Sequence, residues 1–287
     1  MQEIDYMHEE FVTAMEIMKN RLPRPVLGKP FELPKMGPGV YNLDEDFSFE
    51  KKCQKYSITS DEIFVFRDEA SKSFQEEVSR FWSSGDKFKK MGFLHKRGII
   101  LNGPPGSGKS TILKQEMKKL VESGQVVFLS KSPWRLQSAL HNFRKIEPNR
   151  PVTVIIEDID EVCSGYGEYQ FLELLDGSEA VNNVLFIATT NNIEKLSEKL
   201  RRPGRFDRKI EIPNPSAELR GAYLQKKFGN KISKGQIDSI VSLSEGLSFG
   251  HLREIVVSHC GYGVQLNETI ERLRKDILVE TKQLPIF

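Results

Sequence analysis

Gly103-Pro104-Pro105-Gly106-Ser107-Gly108-Lys109-Ser110-Thr111 is the stretch that decides the fold. It follows a short apolar run, Gly98-Ile99-Ile100-Leu101, and leads into a helix-forming one, Ile112-Leu113-Lys114-Gln115-Glu116-Met117-Lys118-Lys119-Leu120. Strand, glycine-rich loop and helix together make the setting in which the spacing G-x-x-x-x-G-K-[ST] cradles phosphate. Glycines let consecutive backbone N–H groups turn inward around an anion, because no Cβ obstructs the approach. The helix that starts there adds the positive end of its dipole. In this pattern Lys109 reaches the β- and γ-phosphates, and the Ser110 hydroxyl ligates Mg²⁺.

Further along, Pro151-Val152-Thr153-Val154-Ile155-Ile156 runs apolar and ends in Glu157-Asp158-Ile159-Asp160. A continuous apolar run is what a strand covered on both faces of a parallel sheet looks like. Acids at its C-terminal end fall beside the phosphate loop, where ligands bind in α/β sheets. One acid can hold Mg²⁺ through its waters; the next can deprotonate an attacking water. Asn183-Val184-Leu185-Phe186-Ile187-Ala188-Thr189-Thr190-Asn191 repeats the theme, and Asn191 can hydrogen-bond water and γ-phosphate together. Between these strands, residues 125–130 are β-rich, Lys131-Ser132-Pro133-Trp134-Arg135 reads as a loop, and residues 136–146 as a helix. Trp134 is either an exposed aromatic that grips a partner or a helix-start residue in the core.

Upstream, residues 68–90 read as one helix with Phe74, Val78, Phe81 and Trp82 on its apolar side. Ile63-Phe64-Val65-Phe66 is the best strand candidate before it, its aromatics serving the core or an adenine. Residues 1–22 have helical spacing at Ile4, Met7, Phe11, Met15 and Met18, for packing on the chain itself or on a partner. Pro23, Pro25, Pro30, Pro34 and Pro38 then make an extended arm, with a boundary expected near residue 45.

Bulk properties narrow the setting. The 42 Lys+Arg against 40 Asp+Glu give no basic excess of the kind a nucleic-acid binder often shows. Cys53, Cys163 and Cys260 are scattered, which suits a reducing compartment and argues against a disulfide framework or a zinc site. No run approaches the ~20 apolar residues of a membrane span, and the acidic N-terminus is unlike a secretion signal. A cytoplasmic protein without a membrane span is the expectation.

Four motifs in order carry a family resemblance: 103–111, the acids after Ile156, Ile187-Ala188-Thr189-Thr190-Asn191, and Leu200-Arg201-Arg202-Pro203-Gly204-Arg205-Phe206-Asp207. They are similar to Walker A, Walker B, sensor 1 and the arginine-finger segment of the AAA family of ATPases, over about residues 60–260. The resemblance implies an α/β class fold, a P-loop parallel sheet flanked by helices and followed by a small helical lid. It also implies a homo-oligomeric ring, usually a hexamer, with ATP and Mg²⁺ at each subunit boundary. Arg202 and Arg205 match the arginines that reach a neighbour's γ-phosphate.

Two features depart from the family pattern. Walker B usually reads Asp-Glu, and here Glu157 precedes Asp158; this order resembles the AAA chaperones that translocate a folded respiratory-chain subunit, and some phage-encoded ATPases. Glu157 is assigned to Mg²⁺ and Asp158 to the water. The aromatic-hydrophobic-Gly pore loop is missing, leaving Trp134 or Gly165-Tyr166-Gly167 as substitutes. Helices at 217–228, 233–243, 250–259 and 267–275 fit the lid. Gly250-His251-Leu252-Arg253 resembles a sensor 2 segment, with Arg253 either reading γ-phosphate or lying on a helix surface. The apolar tail Leu284-Pro285-Ile286-Phe287 packs on the lid or on a neighbour. The domains expected are 1–45, 46–212 and 213–287. The function expected is Mg²⁺-dependent ATP hydrolysis that remodels a macromolecular client, protein more than nucleic acid. A nucleic-acid loader and an ATP-gated assembly protein are the alternatives.

Overall fold

The strands that flank the phosphate loop assemble as their apolar character requires. The computed structural model describes residues 36–44, 68–176 and 181–282. The expectations for residues 1–22, the prolines up to Pro34, residues 63–66 and the tail at 284–287 lie outside the described residues. Six strands, β1 (Gly39–Asn42), β2 (Lys96–Asn102), β3 (Val126–Leu129), β4 (Val152–Ile156), β5 (Val184–Thr190) and β6 (Arg208–Glu211), form one sheet in the order β1-β3-β4-β5-β2-β6. Every pairing is parallel. The P-loop strand β2 and the two strands that end in acids and asparagine are therefore the three inner neighbours β4-β5-β2. Every residue of β4 and β5 is buried, as a strand covered on both faces demands.

Side chains alternate between the two faces. Ile99, Leu101, Ile155 and Ile187 face a core shared with α1 (Glu69–Trp82), α3 (Lys109–Glu122) and the C-terminal helices. Ile100, Val154, Ile156, Phe186 and Ala188 face a second core with α4 (Pro133–Ile146), α5 (Ile159–Tyr166) and α6 (Glu168–Asp176). Beyond β6 the chain is helical: α7 (Ala217–Phe228), α8 (Lys234–Leu243), α9 (Phe249–Tyr262) and α10 (Leu266–Lys282). The first three of these start after Ser216, Ser233 and Ser248, whose hydroxyls accept from backbone N–H groups of the first turn and replace missing helical partners. The parallel sheet flanked by helices, with helices after it, is the expected fold.

Two local readings change. Residues 68–90 form two helices, α1 and the short α2 (Gly85–Lys90). The break falls at Ser83 and Ser84, whose hydroxyls turn back to the Arg80 carbonyl. Serines compete for backbone acceptors in this way and interrupt the helix, although the apolar spacing continues to Phe88. The arm also ends inside the sheet. Gly39–Asn42 pairs with β3, and Met36, Tyr41 and Leu43 are buried in the second core. Glu147 accepts from the Met36 N–H at 3.0 Å and from Arg150 Nη1 at 2.9 Å, which anchors the start of this strand.

One close approach fixes where the arginine segment lies. A Cβ at Gly98 would stand 1.9 Å from the carbonyl oxygen of Arg205, a backbone atom that no rotamer change can clear. Gly98→Ala is expected to lower stability by about 1–3 kcal/mol through overpacking. Urea denaturation reads this as a lower midpoint at unchanged slope. An unchanged midpoint would show that the β2–β6 crossover yields easily.

Candidate active site

The phosphate loop is shaped by backbone that only glycine adopts freely. Gly106 has φ +73° and Gly108 φ +106°, and α3 begins immediately after Gly108. A Cβ at Gly103 would meet the Ile212 carbonyl oxygen at 2.0 Å, so the loop is seated against the strand-to-lid connection. Lys109 is buried and folds back over the loop. Its Nζ donates to the carbonyls of Gly103 (2.6 Å) and Pro104 (3.0 Å) and to Asn191 Oδ1 (2.7 Å). Burial pushes the Lys109 ammonium below the usual lysine range, and the charges of Asp158 and Asp160 oppose that shift. A buried cation ringed by neutral oxygens is poised to exchange them for anionic phosphate oxygens.

β4 delivers the acids. Asp158 sits in the left-handed region, φ 51° and ψ 51°, one of two non-glycine residues with positive φ among the described residues. Aspartate tolerates this region better than most residues, yet such positions carry strain and cluster at functional sites. Asp158 occupies the N-cap of α5 but makes no side-chain cap bond, which leaves its carboxylate turned to the cavity. Its backbone N–H donates to Thr189 Oγ1 at 3.0 Å, and Asn191 Nδ2 approaches its Oδ1 at 3.5 Å. Asp160, 4% exposed, accepts from Thr190 Oγ1 at 2.7 Å. The paired threonines at the end of β5 thus lock the acid turn to the asparagine strand. Sequence reasoning passed over Asp160 as a strut, although its place two residues after Asp158 was in view.

A cavity of about 510 Å³ joins these parts. Pro105, Gly106, Gly108, Lys109, Ser110 and Thr111 form one wall, and Asp158 and Asn191 close it on the sheet side. The lid supplies the opposite wall with Tyr223, Lys227, Phe249, Gly250 and Arg253. Arg253, left open between two roles, lies on this wall. The lid meets the loop directly: a Cβ on Gly106 would come within 2.8 Å of Ser248 Oγ and 3.3 Å of the Gly250 nitrogen. Tyr223 and Phe249 pack edge to face at 5.4 Å and present an aromatic surface that periodicity alone did not single out.

Other expected residues stand apart from the cavity wall. Glu157, next to Asp158, is half-buried and does not line it. Arg202 and Arg205 lie outside it, and they differ from each other. Arg205 is engaged within its own chain, its Nε paired with Asp176 and its Nη1 donating to the Lys199 carbonyl. The exposed guanidinium of Arg202 has no partner among the described residues. Trp134, also left open, is 70% exposed at the start of α4. Ser107 Oγ, inside the loop, is buried without a hydrogen-bond partner. Two oxygen donors suited to a hard divalent cation, the Ser110 hydroxyl and the Asp158 carboxylate, lie on the cavity wall, and Glu157 stands next to Asp158 in sequence but off that wall. No described helix is long and apolar enough to cross a membrane.

Comparison with known proteins agrees with this geometry. Residues 99–214 match the model of the "ATPase family associated with various cellular activities (AAA)". An ATP-dependent zinc metalloprotease FtsH of Marinobacter nauticus is 28% identical over 85% of this chain and 40% of its own length. The FtsH of Pelodictyon phaeoclathratiforme is 31% identical over 73% of this chain and 35% of its own. A cell division cycle protein 48 homolog of Archaeoglobus fulgidus is 32% identical over 48% of this chain and 21% of its own. The chain thus spans 40% or less of the length of these curated relatives. With a parallel β4-β5-β2 centre, a glycine loop between β2 and α3, and acids and asparagine at the adjoining strand ends, residues 99–214 are an AAA-family ATPase domain of the P-loop class.

Proposed function

We propose that this chain hydrolyses ATP at a site completed by a second copy in a ring, most simply a hexamer, and that turnover remodels a protein client. The observation that carries this reading is the chain of contacts Asp158–Asn191–Lys109 across the mouth of the phosphate loop. An acid, an amide and an ammonium that line one cavity support the roles of base, water-positioning group and phosphate cation. On binding, Lys109 exchanges the Gly103 and Pro104 carbonyls and the Asn191 oxygen for phosphate oxygens. That releases Asn191 to hold the attacking water, and Asp158 takes its proton. Ser110 and Glu157 are the residues that would hold Mg²⁺. When bound, that ion supplies charge neutralisation on the phosphate oxygens.

Arg202 is the finger in this reading, because it alone of the two candidates is unengaged. A guanidinium from a neighbour offsets charge on the transferring phosphoryl group. Arg253 contributes from the lid wall, so lid position and phosphate occupancy are coupled. Trp134 and Tyr169, 70% and 71% exposed at the starts of α4 and α6, supply aromatic surface for a client. The names of the FtsH relatives link ATP to proteolysis, and the near-balanced charge gives no footprint for nucleic acid.

The test is steady-state phosphate release from ATP with Mg²⁺ and with EDTA, in the presence of an unfolded protein or of DNA. Mg²⁺-dependent release, raised by protein, is expected. No release at saturating ATP would overturn hydrolysis, and stimulation by DNA alone would favour a loader.

A further inference from the structure

The acid turn is held from a side that the mechanism does not use. Asp158 Oδ1 faces Asn191, while its Oδ2 lies 3.9 Å from the ammonium of Lys131, a residue off the cavity wall at the end of β3. The backbone of Lys131 is pinned. Its N–H donates to Asp44 Oδ2 at 2.7 Å, and the neighbouring Ser130 hydroxyl donates to Asp44 Oδ1. Ser130 Oγ in turn accepts from the Ser132 N–H at 2.9 Å. Asp44 is itself fixed by the end of β1: the Leu43 N–H donates to the Leu129 carbonyl at 2.9 Å, and Arg135 Nη1 to the Leu43 carbonyl at 2.8 Å. One unbroken path therefore runs from the edge strand, through Asp44 and Lys131, to the carboxylate facing the phosphate loop.

We propose that Lys131 is a positioning residue that restrains Asp158, and that Asp44, by pinning Lys131, makes residues 36–44 a brake on ATP turnover. This rests on the reading of Asp158 as the acid that takes the proton of the attacking water. To do so the carboxylate must turn toward the γ-phosphate, and the ammonium draws it the opposite way, toward β3. The pair is partly exposed, with side chains 54% and 35% accessible, so the restraint is modest and adjustable. Anything that lifts β1 from β3 displaces Asp44 and loosens Lys131 with it.

The experiment compares kcat and KM for Mg–ATP in the full chain and in Lys131→Ala, Lys131→Gln, Lys131→Arg, Asp44→Ala and the Lys131→Ala/Asp44→Ala double variant. Lys131→Ala and Lys131→Gln are expected to raise kcat about two- to fivefold, the size an exposed ion pair can impose. KM should stay put, since Lys131 is not on the cavity wall. Lys131→Arg keeps the charge and should return kcat toward the parent value. Asp44→Ala should give a rise in the same direction that does not add to that of Lys131→Ala. All the added turnover should vanish in an Asp158→Asn background. A kcat at or below the parent's in both Lys131→Ala and Lys131→Gln, with thermal midpoints unchanged, would overturn the brake. Phosphate release indifferent to Asp158→Asn in every variant, parent included, would sink the ATPase reading and this proposal with it.

Discussion

Arg202→Ala is expected to lower kcat by about 10³-fold or more while each chain keeps its affinity for ATP. The expectation comes from contrast with Arg205. Both arginines sit in the segment after Leu200, but Arg205 is tied to Asp176 and to the Lys199 carbonyl. Arg202 is exposed and lies off the cavity of its own chain, so its charge is available to the cavity of a neighbour. A group that acts across a boundary has a signature. Mixing Arg202→Ala chains with Asp158→Asn chains should restore part of the turnover, because some boundaries then join an intact acid to an intact arginine. Phosphate release from the mixture, against each variant alone, checks this. Arg205→Ala, by comparison, should mainly loosen the contact with α6 and lower the thermal midpoint. Parental turnover in Arg202→Ala with none in a still-folded Arg205→Ala would reverse the assignment.

Asp158→Asn is expected to retain ATP and lose about 10²–10⁴-fold in kcat, the range that general-base catalysis supplies. The amide is isosteric and tolerates the left-handed backbone at this position, so the turn that joins β4 to α5 should persist. Its backbone bond to Thr189 and the Asp160–Thr190 strut do not involve the altered group. Binding of a fluorescent ATP analogue should match the parent, while single-turnover hydrolysis falls. Glu157→Gln should instead shift the Mg²⁺ concentration needed for turnover upward. If Glu157→Gln stops hydrolysis at saturating Mg²⁺ and Asp158→Asn does not, the two acids exchange roles, and the Glu-Asp order is only a change of spelling.

Much of this was readable because the signals are local. The glycine loop, the two largely apolar strands and their polar ends each lie within ten consecutive residues, and their order determines a parallel α/β sheet. What escaped depends on distant partners. The four residues Gly-Val-Tyr-Asn at 39–42 look like part of a proline-rich arm, and only pairing with β3, more than eighty residues on, makes them a strand. Arg202 and Arg205 are equivalent on paper; Asp176, 29 residues before Arg205, separates them. Trp134 had equal claims to core and surface because the first turn of α4 fits either, and the structure leaves it outside. The split between α1 and α2 was hidden by an apolar rhythm that runs through it. Lys131 lay in a stretch read only as a loop, and nothing nearby in sequence announces its acid partner.

The strand Gly39–Asn42 has a bearing on how far the chain can be trimmed. A version beginning after residue 44 would lose the cover over the outer rim of β3 and leave its N–H and C=O groups bare. It would also wet the apolar neighbours of Met36, Tyr41 and Leu43. Such a rim is a template for a strand from any other molecule, so clumping of a shortened protein would report an open sheet, and its particle size would not test the proposed ring.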